Sequence, residues 1–210
     1  MDQSNWLGEQ FGLLREFLHT DFRRTLLLCS LGMLAAAVLG GAMAAMAPEV
    51  AASMLNSFME QVQEAGVIDE SGNMSVFALL TNNWTAMLLA ALYGLIPFLF
   101  LPVFSLLANG AILGMMAVVF CAQGMPLAAY FAGILPHGIF ELPALALSVA
   151  CGFCLCKNMC RIVTSSSQRV PLVELASDLL RVLLLIVLPL TVLAAVMERY
   201  VTPVVMGLFL

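Results

Sequence analysis

The sequence predicts an all-α, polytopic transmembrane helix bundle of about five spans. Three observations predict it. Of the 210 residues, 62% are apolar and only 10% are charged, whereas an ordinary soluble domain is about 25% charged. The mean hydropathy is +1.03. The apolar residues also fall into long runs, Thr25–Ala47, Trp84–Leu101, Pro102–Gln123, Leu127–Cys156 and Leu179–Met197, and about 20 such residues cross a bilayer core as a helix. Eight Lys and Arg against thirteen Asp and Glu give a net charge of −5 with no basic stripe, which excludes nucleic acid as a partner. The runs consume most of the chain, so residues 25–210 read as one transmembrane domain behind a short segment, 1–24.

In that segment Leu7, Phe11, Leu14, Leu18 and Phe22 recur at steps of four and three, which puts them on one helical face. The pattern predicts a cytoplasmic amphipathic helix, lying on the membrane surface or on the protein's own cytoplasmic loops. The acidic residues Asp2, Glu9, Glu16 and Asp21 precede the first run. That run exceeds the roughly 7–15 residues of a signal h-region, so it reads as a retained span. Its Ala36-x-x-x-Gly40-x-x-x-Ala44 and Ala37-x-x-x-Gly41-x-x-x-Ala45 series predicts close helix packing, since small residues let backbones approach. Whether the mate lies in the same chain or in a second copy stays open, with the same chain preferred; a homo-oligomer is therefore an open expectation.

Residues 48–75 form the first loop, in which Glu49, Glu60, Glu64, Asp69 and Glu70 carry the charge. Its stripe Met54, Leu55, Phe58, Met59 and Val62 suits either a partner surface or a lid over the bundle, the lid being preferred. Thr81, Asn82 and Asn83 stand before the second run and read as N-cap residues. Pro97 and Pro102 mark the turn into the third, where Asn109 beside Gly110 and Gly114 predicts interhelical packing plus one hydrogen bond. The fourth run is too long for one straight crossing and contains Gly133, Pro136 and Pro143. A half-helix over 126–135, a break, and a helix from His137 are expected, a broken or re-entrant segment near 126–143. Cys151, Cys154, Cys156 and Cys160 end this run; their spacing fits no zinc module, and ordinary packing is the preferred reading over metal, redox or acylation chemistry. A second loop, 157–178, leads to the last run.

Arg15, Arg23 and Arg24 precede the first run, Lys157, Arg161 and Arg169 follow the fourth, and the 48–75 loop has no Lys or Arg. The positive-inside rule then places the N-terminus in and the C-terminus out, as in a prokaryotic cytoplasmic membrane.

Ionisable groups at membrane depth cost about 2.5–3.5 kcal/mol on insertion scales, so each needs a reason. His137 and Glu141 are four apart and share a helix face, and Gly138 between them would let a neighbouring backbone approach. The pair is either a structural cross-link between helices or a proton-, ion- or head-group-binding site. Two His and one plainly intramembrane carboxylate make a multi-ligand metal site hard to assemble, so no metal or cofactor is expected. No metalloprotease, nucleophile-elbow or phosphate-loop motif occurs.

Pro136-His-Gly-Ile-Phe-Glu-Leu-Pro-Ala144 resembles the Pro-His-Gly-x-x-Glu-x-Pro-Ala signature of the stage II sporulation protein M family. The Asn82-Asn83 pair, Asn109-Gly-x-x-x-Gly114 and Glu198-Arg-Tyr-Val-Thr-Pro203 resemble further segments of that family, in order, over roughly residues 20–205. The resemblance implies an integral membrane protein of about five spans, one member of which assembles a septal peptidoglycan-degrading machine. On that basis the sequence reads as a non-enzymatic inner-membrane protein that contacts lipids and organises envelope-remodelling partners, with His137, Glu141, Asn82, Asn109 and Glu198 bracing the bundle. The alternative is a permease or a lipid or ion translocator using the His137–Glu141 pair. An intramembrane enzyme with these two as acid and base is the remaining reading.

Overall fold

A computed structural model describes residues 3–64 and 74–209 of the chain; Asp69 and Glu70 lie outside them. Among the described residues the regular structure is helical, in the order α1 (Gln3–Leu18), α2 (Asp21–Met46), α3 (Pro48–Glu64), α4 (Val76–Leu92), α5 (Pro102–Ala122), α6 (Leu127–Val163), α7 (Leu172–Val182), α8 (Leu188–Val196) and α9 (Thr202–Gly207). Five helical segments are long and apolar enough to cross a membrane, the last of them running from Leu172 to Gly207 through α7, α8 and α9. The bundle is all-α.

α6 is the axis of the bundle. Its residues Ala144 to Gly152 are buried without interruption, as expected of a helix apolar all round, and α2, α4, α5, α8 and α9 all pack against it. The break expected near 126–143 is not there: α6 runs for 37 residues with Pro136 and Pro143 inside it. A proline removes one donor and crowds one carbonyl, a local defect that flanking helix turns span. At 1.5 Å per residue α6 is about 55 Å long, so it projects beyond a hydrocarbon core of about 30 Å. The second loop accordingly shrinks from 157–178 to 164–171. Asn158 pins it, donating from Nδ2 to the Val170 carbonyl (3.0 Å) while its Oδ1 accepts from the Val170 amide (2.9 Å).

The small-residue series of α2 meets α5. A Cβ on Gly40 would fall on the Ala111 backbone, one on Gly110 on the Met33 carbonyl and the Ala36 Cβ, and one on Gly114 on the Ala37 carbonyl and the Gly41 amide. The seam is intramolecular. Its opposite face, with Leu27, Leu28, Leu31, Leu34, Val38 and Leu39 exposed, is left for lipid. Gly138 has a different role from the one expected: a Cβ there would meet only Ile134 and Leu142 of its own helix. The spacing rule found a small residue, but no neighbouring backbone crosses at that height.

The second span starts earlier than its sequence suggests. Ser75 is the cap, its Oγ accepting from the Ala78 amide at 3.3 Å. Asn82 and Asn83 therefore sit inside α4 rather than at its start, because the apolar run Val76–Leu80 already belongs to the helix. After a 3₁₀ turn at Tyr93–Leu95 the chain is irregular to Leu101, with Phe98 and Phe100 at positive φ. Its free backbone groups find sulfur partners one turn apart on α6: the Phe98 amide donates to Cys160 Sγ (3.1 Å) and Cys156 Sγ donates to the Ile96 carbonyl (3.4 Å).

α1 docks on α7. Leu14 is buried and Arg181 donates to both Gln10 (2.7 Å) and Asp178 (2.7 Å). Of the predicted apolar face, Leu14 and Phe22 are buried, while Leu7 and Phe11 stay exposed beside Trp6.

Candidate functional site

Two pairs of polar residues, each with a spacing of four, face one another across the bundle. On α6 these are His137 and Glu141; on the C-terminal helix they are Glu198 and Thr202. One ligand atom from each of His137, Glu141 and Glu198 lies within 4.8 Å of the others. His137 Nδ1 is 3.1 Å from Thr202 Oγ1, and Nε2 is 4.0 Å from Glu141 Oε2. The second distance is beyond the 2.7–3.2 Å of a nitrogen–oxygen hydrogen bond. Among the described residues neither Glu141 nor Glu198 accepts a hydrogen bond.

The local fold explains how Glu198 arrives there. Pro203 has no amide hydrogen and crowds the carbonyl of Arg199 four residues back. The helix widens before it into a π turn, Met197–Val201, as another does at Leu183–Val187 before Pro189. Such turns are frequent at functional sites because the extra residue re-aims its neighbours. Arg199, adjacent to Glu198, lies over the Tyr200 ring, 5.7 Å from its centroid, and among the described residues it makes no ion pair with Glu198.

The cluster borders a cavity of about 490 Å³ whose lining includes Asn82, Asn83 and Asn109 as well as Thr202. Among the described residues the only side-chain hydrogen bond of Asn82 and Asn83 is to each other, the Asn82 amide donating to Asn83 Oδ1 at 3.4 Å. Among the described residues the expected interhelical bond of Asn109 is not formed; its amide donates to the Ser105 carbonyl of its own helix at 2.8 Å, and its carbonyl oxygen accepts no hydrogen bond from them. Phe58, Met59 and Val62 of α3 and Met206 of α9 complete the apolar part of the wall. The site thus offers carboxyl and amide groups converging inside an otherwise greasy pocket, the usual makeup of a small-ligand site.

Sequence reasoning counted one intramembrane carboxylate, and the structure supplies a second. With Glu198 beside His137 and Glu141 the donor set is one imidazole and two carboxylates, so the shortage of ligands that argued against a metal no longer holds. Thr202 was missed; its spacing from Glu198 and its place before Pro203 were the available signals.

Fold and site together define a helical membrane protein with a polar cavity in its bundle. The chain matches the family described as Stage II sporulation protein M over residues 25–203 and belongs to that family. An uncharacterized protein of Methanocaldococcus jannaschii is 32% identical to it over 126 residues, 60% of this chain and 70% of that one. No solved structure matches it.

Proposed function

We propose that the chain is a permease-type protein of a prokaryotic cytoplasmic membrane that takes a small hydrophilic solute into the cavity between α4, α5, α6 and α9, without doing covalent chemistry. One observation carries this reading: three ionisable side chains and three asparagines line one cavity, and the two carboxylates have no hydrogen-bond donor of their own among the described residues. Groups that only braced a bundle would be expected to satisfy one another, because an unpaired polar group at membrane depth is costly. Discontinuities in the helices beside the cluster, here a π turn and two prolines, accompany intramembrane binding sites for the same reason.

The N-terminus is in and the C-terminus is out, on the cation distribution. The cavity then lies in the outer half of the bundle, with α3 as its cover. Organising partners for envelope remodelling, the role implied by the sequence resemblance, is the competing reading; it leaves the cavity without a purpose.

Reconstitution into liposomes tests the proposal. Uptake of K⁺, Na⁺, Mg²⁺ and Mn²⁺ and scrambling of a labelled lipid are followed for the wild type and Glu141→Gln. Flux in the wild type that disappears in a folded Glu141→Gln protein is the expected result. Absence of flux in both, with an earlier melting variant, would return the pair to a bracing role.

A further inference from the structure

The gap between His137 and Glu141 has a physical consequence. Nδ1 faces the Thr202 hydroxyl at 3.1 Å. When Nδ1–H donates to that oxygen, Nε2 is left with its lone pair turned toward a carboxylate 4.0 Å away, and a second carboxylate is in the same cluster. Lone pair and ionised carboxylate repel unless a proton or a metal cation lies between them. The opposite tautomer would aim Nε2–H at Glu141, yet the distance is too long for that bond. Neither tautomer satisfies the cluster while both carboxylates are ionised.

We infer that His137, Glu141 and Glu198 form a binding site for a divalent first-row transition cation such as Mn²⁺, Fe²⁺ or Zn²⁺. Three arguments converge on this class. Ligand atoms bound at about 2.0–2.2 Å lie about 3–3.5 Å from one another, so the three atoms, now within 4.8 Å, need to close by at most about 1.5 Å. Charge is balanced: two carboxylates neutralise a dication, which a low-dielectric site demands, whereas a monovalent ion would leave one negative charge over. The nitrogen–oxygen donor set, with no thiolate, favours these metals over Cu⁺, and the imidazole favours them over Mg²⁺ and Ca²⁺. Asn82, Asn83 and Asn109 supply amide oxygens nearby for a partly hydrated ion. Thr202 is a positioning residue that sets the tautomer of His137, as the outer partners of metal-bound histidines do.

The inference rests on the reading of the cavity as a solute site and names its solute class. It is tested by titrating purified, tag-free, EDTA-stripped protein in nanodiscs with Mn²⁺, reading free Mn²⁺ by electron paramagnetic resonance, with Zn²⁺ as competitor. The expected result is one Mn²⁺ per chain, displaced by Zn²⁺. Affinity should be lost in His137→Ala and Glu198→Gln, and should fall about 10- to 100-fold in Thr202→Val. Wild-type protein that binds no Mn²⁺ or Zn²⁺ beyond the level of Glu198→Gln would overturn the inference, whatever the fate of the variants' folding. Mn²⁺ binding without Mn²⁺ uptake into liposomes would uphold the metal site and remove the transport reading. Glu141-dependent K⁺ uptake by protein that binds no divalent metal would do the reverse.

Discussion

His137 and Glu141 could be paired from sequence because four residues on a helix return a side chain to the same face. Glu198 could not be joined to them by spacing: it lies 57 positions beyond Glu141, and a π turn alters the facing of the last helix. Asn82 and Asn83 were visible but were placed at a helix start, since the rule for caps takes no account of a helix that has already run for two turns. The asparagines separate function from stability. Asn109 bonds to its own helix, so Asn109→Leu should leave the melting temperature within about 2 °C, equivalent to less than about 1 kcal/mol. The same substitution should cut solute uptake, because it fills the cavity with a branched apolar group; liposome flux beside a thermal melt checks both halves.

Helices carry predictions of their own. The α2–α5 seam was legible down to its glycines, since small residues four apart have one good use between spans. A valine at Gly114 would drive its Cβ into the Ala37 carbonyl and the Gly41 amide, an overpacking expected to cost about 1–3 kcal/mol and to lower the melting temperature. Gly12 on α1 has open space around it. Gly12→Ala should therefore be neutral or stabilise by up to about 1 kcal/mol through helix propensity alone, measured in the same melt. The continuity of α6 was not legible, because prolines 136 and 143 signal a break equally well whether the helix bends or stops. Pro203→Ala tests the π turn: with the amide restored the turn should relax toward an α-helix, rotating Glu198 away from His137 and weakening Mn²⁺ binding about 10-fold or more, as seen by titration.

At the scale of the whole molecule, composition and run length were enough for a five-span bundle because the bilayer restricts spanning chains to helices or closed barrels. Run length did not fix the span ends. The helices extend beyond the hydrocarbon, α6 by several turns, and the polar ends that do so carry no apolar signal. The proposed orientation rests on charge: Lys157 near Asp21 (3.8 Å) places the end of α6 beside the start of α2, on the side of the chain that holds most of its cations. A membrane-impermeant maleimide should then label a cysteine placed after Gly207 from outside intact cells, on a background with the native cysteines replaced, and should not label one placed at Ser166. Labelling of Ser166→Cys alone would invert the topology.

The most direct measurement is the melting temperature of Glu141→Gln and Glu198→Gln in EDTA, against the wild type under the same conditions. If the carboxylates are assembled for a ligand, removing either charge relieves an uncompensated cluster, and both variants melt at or above the wild-type temperature. If the cluster instead holds the helices together, loss of one partner of a buried pair costs about 3–5 kcal/mol. At about 2–4 °C per kcal/mol for a chain of this size, both variants would then melt about 6 °C or more lower, and that result would contradict the binding-site reading.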